Sequence, residues 1–162
     1  VATRDSQTPL FDPVSYPCRG FKKIMMPSLR SLLDWYETLT PDSLEKIGTY
    51  YTEDVYFKDP FNETRSRDVI LTIFRDMFDT LDNPSFIFDE TIADTRKAFI
   101  TWRFSFEWRG KLMVIRGGSH LRFAEDGRVE YHRDYWDAAE ELYEKIPVIG
   151  WILRRIKSKA RA

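Results

Sequence analysis

The chain has 162 residues, a length that predicts one domain with a hydrophobic core of its own. Its formal net charge of −1 creates no overall positive field, which argues against nucleic acid as a partner. The single cysteine, Cys18, cannot form an internal disulfide, so we expect an intracellular, reducing compartment: the cytoplasm, or an organelle matrix if an N-terminal presequence was removed.

Residues 1–27 are expected to form an extended N-terminal arm. They are polar, they follow neither a helical nor a strand period, and they are interrupted by Pro9, Pro13, Pro17 and Pro27. Such an arm can wrap over its own domain or over a partner.

Residues 28–137 are expected to form the folded domain, which begins with three helices and one short strand. Ser28 is the expected N-cap of the first helix, and Thr40 and Pro41 begin the second. A short strand is predicted at residues 55–57. The third helix is predicted by seven apolar residues at helical spacing: Val69, Ile70, Ile73, Phe74, Met77, Phe78 and Leu81.

The second half of the domain predicts a β-meander. Residues 98–108 alternate between apolar and mostly polar side chains, as a half-buried strand does. The four predicted strands span residues 85–92, 98–108, 111–123 and 128–136. The element order α-α-β-α-β-β-β-β predicts an α+β fold, a cone-shaped curved antiparallel sheet packed on three helices with a concave pocket.

Residues 138–162 are expected to form a C-terminal helical tail that starts at an Asp137 N-cap and is broken at Pro147. Apolar residues such as Trp151 and Ile152 are followed by several lysines and arginines. Two interpretations stay open. The amphipathic helix packs over its own domain, or residues 148–161 make a peripheral contact with an anionic membrane or a partner.

Two carboxylates lie inside aromatic, strand-forming runs. Asp59, before Pro60, is typical of a turn that ends a strand. The alternative is a general base at the mouth of a cavity, with Tyr56 and Phe61 among the rings that exclude water.

His132 and Asp134 lie two residues apart on a predicted strand, so they share one face with Trp136. That face is solvated, or it points into the cavity, where a carboxylate can orient an imidazole. The opposite face is equally mixed, so periodicity does not decide between the two. His120 is expected at the surface or an interface.

No metal site and no cofactor are expected. The two histidines and the cysteine show no metal-ligand spacing, and no glycine-rich phosphate loop is present.

The segment from Tyr51 to Pro60, followed by an arginine and a helix, is similar to the segment of ketosteroid isomerases that carries their aspartate base. The chain thus resembles the nuclear transport factor 2-like superfamily, in its SnoaL-like branch. The resemblance implies Asp59 as the base. It also implies that Tyr36 and Ser119 lie near the positions where the isomerases hold a tyrosine and an acid.

The run from His132 to Asp137 resembles a motif of limonene epoxide hydrolases. That resemblance implies that Asp134 helps to activate water. It also implies that an arginine–aspartate pair belongs near Trp102 to Phe104, where this chain has an arginine and no acid.

Two functions follow. The first is a pocket for a hydrophobic small molecule, with cofactor-free acid/base catalysis of the isomerase, cyclase, dehydratase or epoxide-hydrolase type. Its catalytic residues would be Asp59, Asp134 and His132, and its ligand contacts would be Tyr36, Tyr56, Phe61, Trp102, Phe104, Ser119 and Trp136. The alternative is a non-catalytic homodimer or assembly subunit that uses the arm and the tail, with the outer sheet face as the dimer surface.

Overall fold

The computed structural model describes residues 27–142 of the chain. Four α-helices lie at Pro27–Glu37 (α1), Ile47–Tyr50 (α2), Arg67–Thr80 (α3) and Ala138–Glu141 (α4), and a 3-10 helix at Asp42–Lys46 leads into α2. Six strands lie at Tyr51–Lys58 (β1), Glu63–Thr64 (β2), Asp82–Ala93 (β3), Lys97–Trp108 (β4), Lys111–Phe123 (β5) and Val129–Tyr135 (β6).

The strands form one sheet in the order β2-β1-β6-β5-β4-β3. All neighbours are antiparallel except β1 and β6, which run parallel. The predicted α+β fold, a largely antiparallel sheet with helices on it, is confirmed.

The core lies between the helices and the inner face of the sheet. In α3 the residues Ile70 and Phe74, four apart, are buried on one side of the helix, as the spacing predicts. In β4 the alternation turns Ala98, Ile100 and Trp102 inward, where all three are buried. The two apolar patterns therefore meet in one core.

Two helix starts differ from the prediction. α1 begins at Pro27, which places Ser28 inside the first turn rather than at the N-cap. The second predicted helix starts as a 3-10 turn, in which Thr40 Oγ1 accepts a hydrogen bond from the Ser43 backbone N–H at 3.2 Å.

Two strands are longer than predicted. β1 extends from Tyr51 to Lys58 because its pairing with β6 reaches back to Tyr51. β3 begins at Asp82, although Pro84 lies within it. Since β3 is the last strand of the sheet, a proline there can lack its N–H without breaking the ladder to β4.

Parts of the prediction lie outside the described residues. These are the arm apart from Pro27, which begins α1, together with Cys18 and the tail beyond residue 142. The Asp137 N-cap is confirmed, since its side chain accepts hydrogen bonds from the N–H groups of Ala139 and Glu140 at 2.8 and 3.2 Å. Among the residues described, no helix is both long enough and apolar enough to span a membrane.

We expect Gly117→Ala to lower the free energy of unfolding by about 1–3 kcal/mol, the range typical of overpacked cores. A methyl group at Gly117 would lie 2.5 Å from the Trp102 ring, and that ring is buried and held by a hydrogen bond to Ser119. Urea unfolding followed by fluorescence measures the change.

Gly48→Ala is the matched control, because its new methyl group would be no closer than 3.5 Å to the Arg67 side chain. This variant should unfold at the wild-type urea concentration or above it. Equal stability of the two variants would contradict the proposed crowding at Gly117.

Candidate functional site

A cavity of about 450 Å³ lies between α3 and the inner face of the sheet. Its walls are largely aromatic, and the polar residues among the described lining are Asp59, Asn62 and Asp134. The apolar lining comprises Phe57, Phe61, Ile73, Phe74, Met77, Leu81, Phe86, Trp102, Phe104, Phe106, Trp108, Ile115, Trp136 and Leu142. The predicted concave pocket is therefore present, and the side chains of residues 27–142 do not fill it.

Asp134 forms the polar floor of this cavity. Its side chain is 17% exposed, and one of its oxygens, Oδ1, accepts a hydrogen bond from Ser119 Oγ at 2.5 Å and lies 2.8 Å from His132 Nε2. Ser119 in turn accepts a hydrogen bond from Trp102 Nε1 at 2.8 Å. Among the described residues nothing donates to the second oxygen, Oδ2, which leaves it free for a ligand.

A second run of hydrogen bonds continues from His132 into the core. His132 Nδ1 lies 2.8 Å from the hydroxyl of Tyr51, which lies 2.6 Å from the hydroxyl of Tyr36. Burial raises the pKa of both tyrosines well above the ordinary range, so both are neutral hydroxyls. A small cavity of about 40 Å³ adjoins this run and is bordered by Asp134 as well.

One arrangement of protons satisfies the whole network. If Tyr36 donates to Tyr51 and Tyr51 donates to His132 Nδ1, then His132 Nε2 carries the hydrogen atom that faces Asp134 Oδ1. Ser119 donates to the same oxygen from the other side. Both arms of the network therefore point their hydrogen atoms toward Asp134.

Asp59 lies at the cavity wall but is held by its own turn. Its Oδ1 accepts hydrogen bonds from the backbone N–H groups of Phe61 at 2.7 Å and Asn62 at 2.6 Å. The side-chain amide of Asn62 contacts both carboxylate oxygens at 3.0–3.1 Å. This is the turn that the Asp-Pro pair indicates, built next to the cavity.

The structure brings most of the predicted site residues together. Phe61, Trp102, Phe104 and Trp136 line the main cavity, while Tyr36, Ser119 and His132 border the small one. The expected position of Tyr56 at the cavity mouth is wrong. Strand alternation turns Tyr56 to the outer face, where its hydroxyl donates to Glu63 at 2.9 Å and its ring stacks on Tyr131.

Arg103 also lies away from the cavity. It faces the outer side of the sheet and pairs with Asp89 of β3 at 2.8 Å, so the arginine–aspartate pair of the epoxide-hydrolase motif does not form in the cavity. His120, directly opposite Arg133 in the neighbouring strand, lies half-buried on that outer face. Whether this face forms a homodimer stays a prediction.

Tyr51 is the site residue that the sequence did not reveal. It starts β1 and is fully buried, and its partner His132 is 81 residues away. Only the parallel pairing of β1 with β6 brings them together. Between residues 27 and 142, no cluster of His, Cys, Asp and Glu is arranged to hold a metal ion.

Comparison with known proteins agrees with this geometry. A family model for the SnoaL-like domain matches residues 32–132. No curated protein matches the sequence.

Several solved structures share the fold at low identity. An LEH-like epoxide hydrolase from M. tuberculosis has a TM-score of 0.60 and 15% identity, covering 70% of this chain and 85% of its own. A protein of ketosteroid isomerase-like fold from Catenulispora acidiphila DSM 44928 has a TM-score of 0.61 and 13% identity, covering 72% and 90%. A protein from Jannaschia sp. CCS1 assigned to the SnoaL-like polyketide cyclases has a TM-score of 0.60 and 8% identity, covering 70% and 87%.

The family model spans well over half of the chain, from Leu32 in α1 to His132 in β6, and ends two residues before Asp134. The chain therefore belongs to the SnoaL-like domain family, within the nuclear transport factor 2-like superfamily.

Proposed function

We propose that this protein is a cofactor-free acid/base enzyme that acts on a hydrophobic small molecule, with Asp134 as its general base. The observation that carries the proposal is the position of Asp134 on the floor of an aromatic cavity, with one oxygen fixed by Ser119 and His132 and the other without a partner among the described residues.

The surroundings of Asp134 suit proton transfer. Hydrogen bonds from two sides hold Oδ1, so the carboxylate cannot rotate away and Oδ2 keeps one direction. The aromatic walls surround the carboxylate with apolar groups, and lower polarity strengthens electrostatic interactions inside the cavity. Positioned proton transfer of this kind contributes about 10²–10⁴-fold to a rate.

The size of the cavity limits the substrate. Its volume of about 450 Å³ falls within the range of about 300–1,000 Å³ that is usual for small-molecule sites. Among the structural neighbours are an LEH-like epoxide hydrolase and a protein assigned to the polyketide cyclases. Adding water to an epoxide and closing a ring at an acidic carbon both need a base that removes one proton, which is the role proposed here for Asp134.

The two cavity carboxylates then have separate roles. Asp134 is held by Ser119 of the neighbouring strand and by His132 of its own strand, and its Oδ2 has no donor among the described residues. Asp59, in contrast, is surrounded by donors from its own turn. We assign proton transfer to Asp134 and the shape of the cavity wall to Asp59. The alternative is that the protein binds a ligand without turnover. Isotope-exchange assays on the wild-type protein distinguish this alternative from catalysis.

Asp134→Asn should lower turnover by about 10²–10⁴-fold, because the amide keeps the shape and the bond from Ser119 but cannot accept a proton. Two assays cover the proposed reactions: deuterium uptake from deuterium oxide into cyclic ketones and cyclic β-diketones, and incorporation of heavy oxygen from labelled water into cyclic epoxides.

Asp137→Asn is the matched control, since this nearby exposed carboxylate caps α4 and asparagine caps equally well. It should keep wild-type rates. Ligand binding with no exchange by the wild-type protein would establish the binding alternative, and full turnover by Asp134→Asn would refute the assigned base.

Asp59→Asn should retain turnover within about threefold, because asparagine is as good a turn residue as aspartate and still accepts the two backbone N–H groups. Asp59→Ala removes the acceptor and should lower the free energy of unfolding by about 1–3 kcal/mol. The same exchange assays and urea unfolding measure both effects. A collapse of turnover in Asp59→Asn would move the base to Asp59.

Tyr51→Phe should lower kcat more than it raises KM, because His132 Nδ1 loses its donor and the orientation of the imidazole beside Asp134 is no longer fixed. The loss should cost about 1–3 kcal/mol of stability as well, since the buried Tyr36 hydroxyl loses its partner. Tyr50→Phe is the control, because the Tyr50 hydroxyl makes no hydrogen bond within residues 27–142. An equal fall in both variants would contradict the positioning role.

A further inference from the structure

Within residues 27–142, the charged groups that line the main cavity are all negative. Two carboxylates, Asp59 and Asp134, line it, while no lysine, arginine or histidine lines it within the described part of the chain. The groups that reach Asp134 Oδ1 are the Ser119 hydroxyl and His132 Nε2, and His132 borders the small cavity rather than the main one. The cavity thus holds negative charge that no described wall residue neutralises.

Neighbouring cations are engaged elsewhere. Lys58, next to Asp59 in the sequence, pairs with Glu63. Arg103, from the strand that supplies Trp102 and Phe104 to the wall, pairs with Asp89 on the outer face. Neither pair reaches into the cavity, so the imbalance is built into these strands.

The aromatic walls add to the same preference. The face of each aromatic ring is the negative end of its quadrupole and attracts a cation placed over it. Trp102, Trp108 and Trp136 line the cavity together with several phenylalanines. An ionised carboxylate in such apolar surroundings is unfavourable unless hydrogen bonds or a positive group compensate for its lost hydration.

We propose that the ligand of this cavity is a hydrophobic cation, an amine or quaternary ammonium compound whose charged group lies beside Asp134 and whose apolar body lies among the rings. The proposal rests on the proposed function for the place of the site and adds the charge of the substrate. A positive charge next to the carbon that loses its proton would also stabilise the carbanion that Asp134 creates.

Other ligand classes fit less well. A phosphorylated or carboxylated ligand would meet two carboxylates and no counter-cation among the described wall residues, which disfavours it by like-charge repulsion. A neutral ligand would displace water from Asp134 Oδ2 without supplying a positive partner. Only a cationic ligand both fills the apolar volume and offsets the charge.

The test is isothermal titration calorimetry of the full chain with three probes that share a phenylpropyl body: (3-phenylpropyl)trimethylammonium, 3-phenylpropanol and 4-phenylbutyrate. We expect the ammonium probe to bind at least about 10-fold more tightly than the alcohol, and the carboxylate probe not to bind. The quaternary ammonium has no N–H, so its preference reports charge and ring contacts alone. An alcohol that binds as tightly as the ammonium would overturn the proposal.

Two variants locate the charge effect. Asp134→Asn should weaken binding of the ammonium probe by about 10-fold and leave the alcohol unchanged, and Asp59→Asn should weaken the ammonium by a smaller factor. Asp137→Asn should leave both probes unchanged. If Asp134→Asn does not fold, the wild-type probe series and Asp59→Asn still decide. If Asp134→Asn folds, equal binding of the ammonium probe by the wild type, Asp134→Asn and Asp59→Asn would overturn the proposal.

The calorimetric probe series and the isotope-exchange assays can fail independently of each other. Ammonium selectivity without isotope exchange would support the cationic ligand and refute the base. Exchange on neutral ketones together with no preference for the ammonium would support the base and refute the cationic ligand.

Discussion

The parallel pairing of β1 with β6 is the constraint on which the site depends. It brings together two buried residues that are 81 positions apart in the sequence. The hydroxyl of Tyr51 lies 2.8 Å from Nδ1 of His132. A buried hydroxyl and a buried imidazole are tolerated only if each finds a partner, and each is the partner of the other. Because His132 is fixed on its far side, its near side is directed at Asp134.

The polar side chains of the main cavity are therefore few, and among the described lining they are Asp134, Asp59 and Asn62. Tyr36, Tyr51, His132 and Ser119 are hydrogen-bonded behind the wall of the main cavity. Asp134 is the member of this network that lines the main cavity. A partly satisfied network would destabilise the fold more than an apolar core would. The network is therefore stable only when all of its hydrogen bonds are made. The phenylalanine rings of the walls need no such pairing, and the indole N–H of Trp102 is satisfied by Ser119.

The periodic segments of this fold could be predicted from the sequence, and the faces of mixed segments could not. α3, β4 and β5 carry one clear apolar face each, and the structure has them at nearly the predicted bounds. In β6, polar and aromatic side chains occur on both faces, so only the pairing with Ser119 on β5 decides that His132 and Asp134 point inward. The predicted position of Tyr56 at the cavity mouth was wrong for the same reason, because the side to which its ring points depends on strand alternation rather than on residue type.

Asp59 and Asp134 differ in how much of their surroundings the neighbouring sequence predicts. Both occur among aromatic residues in the sequence, and both line one cavity. The donors to Asp59 come from the two or three residues that follow it, so its turn is visible in the local sequence. The serine that donates to Asp134 comes from another strand, and the proton arrangement of His132 depends on Tyr51 in a third. All partners of Asp59 are local, so its turn explains them. Asp134 is held in part by a neighbouring strand and has one oxygen without a donor among the described residues, which makes it the better candidate for chemistry.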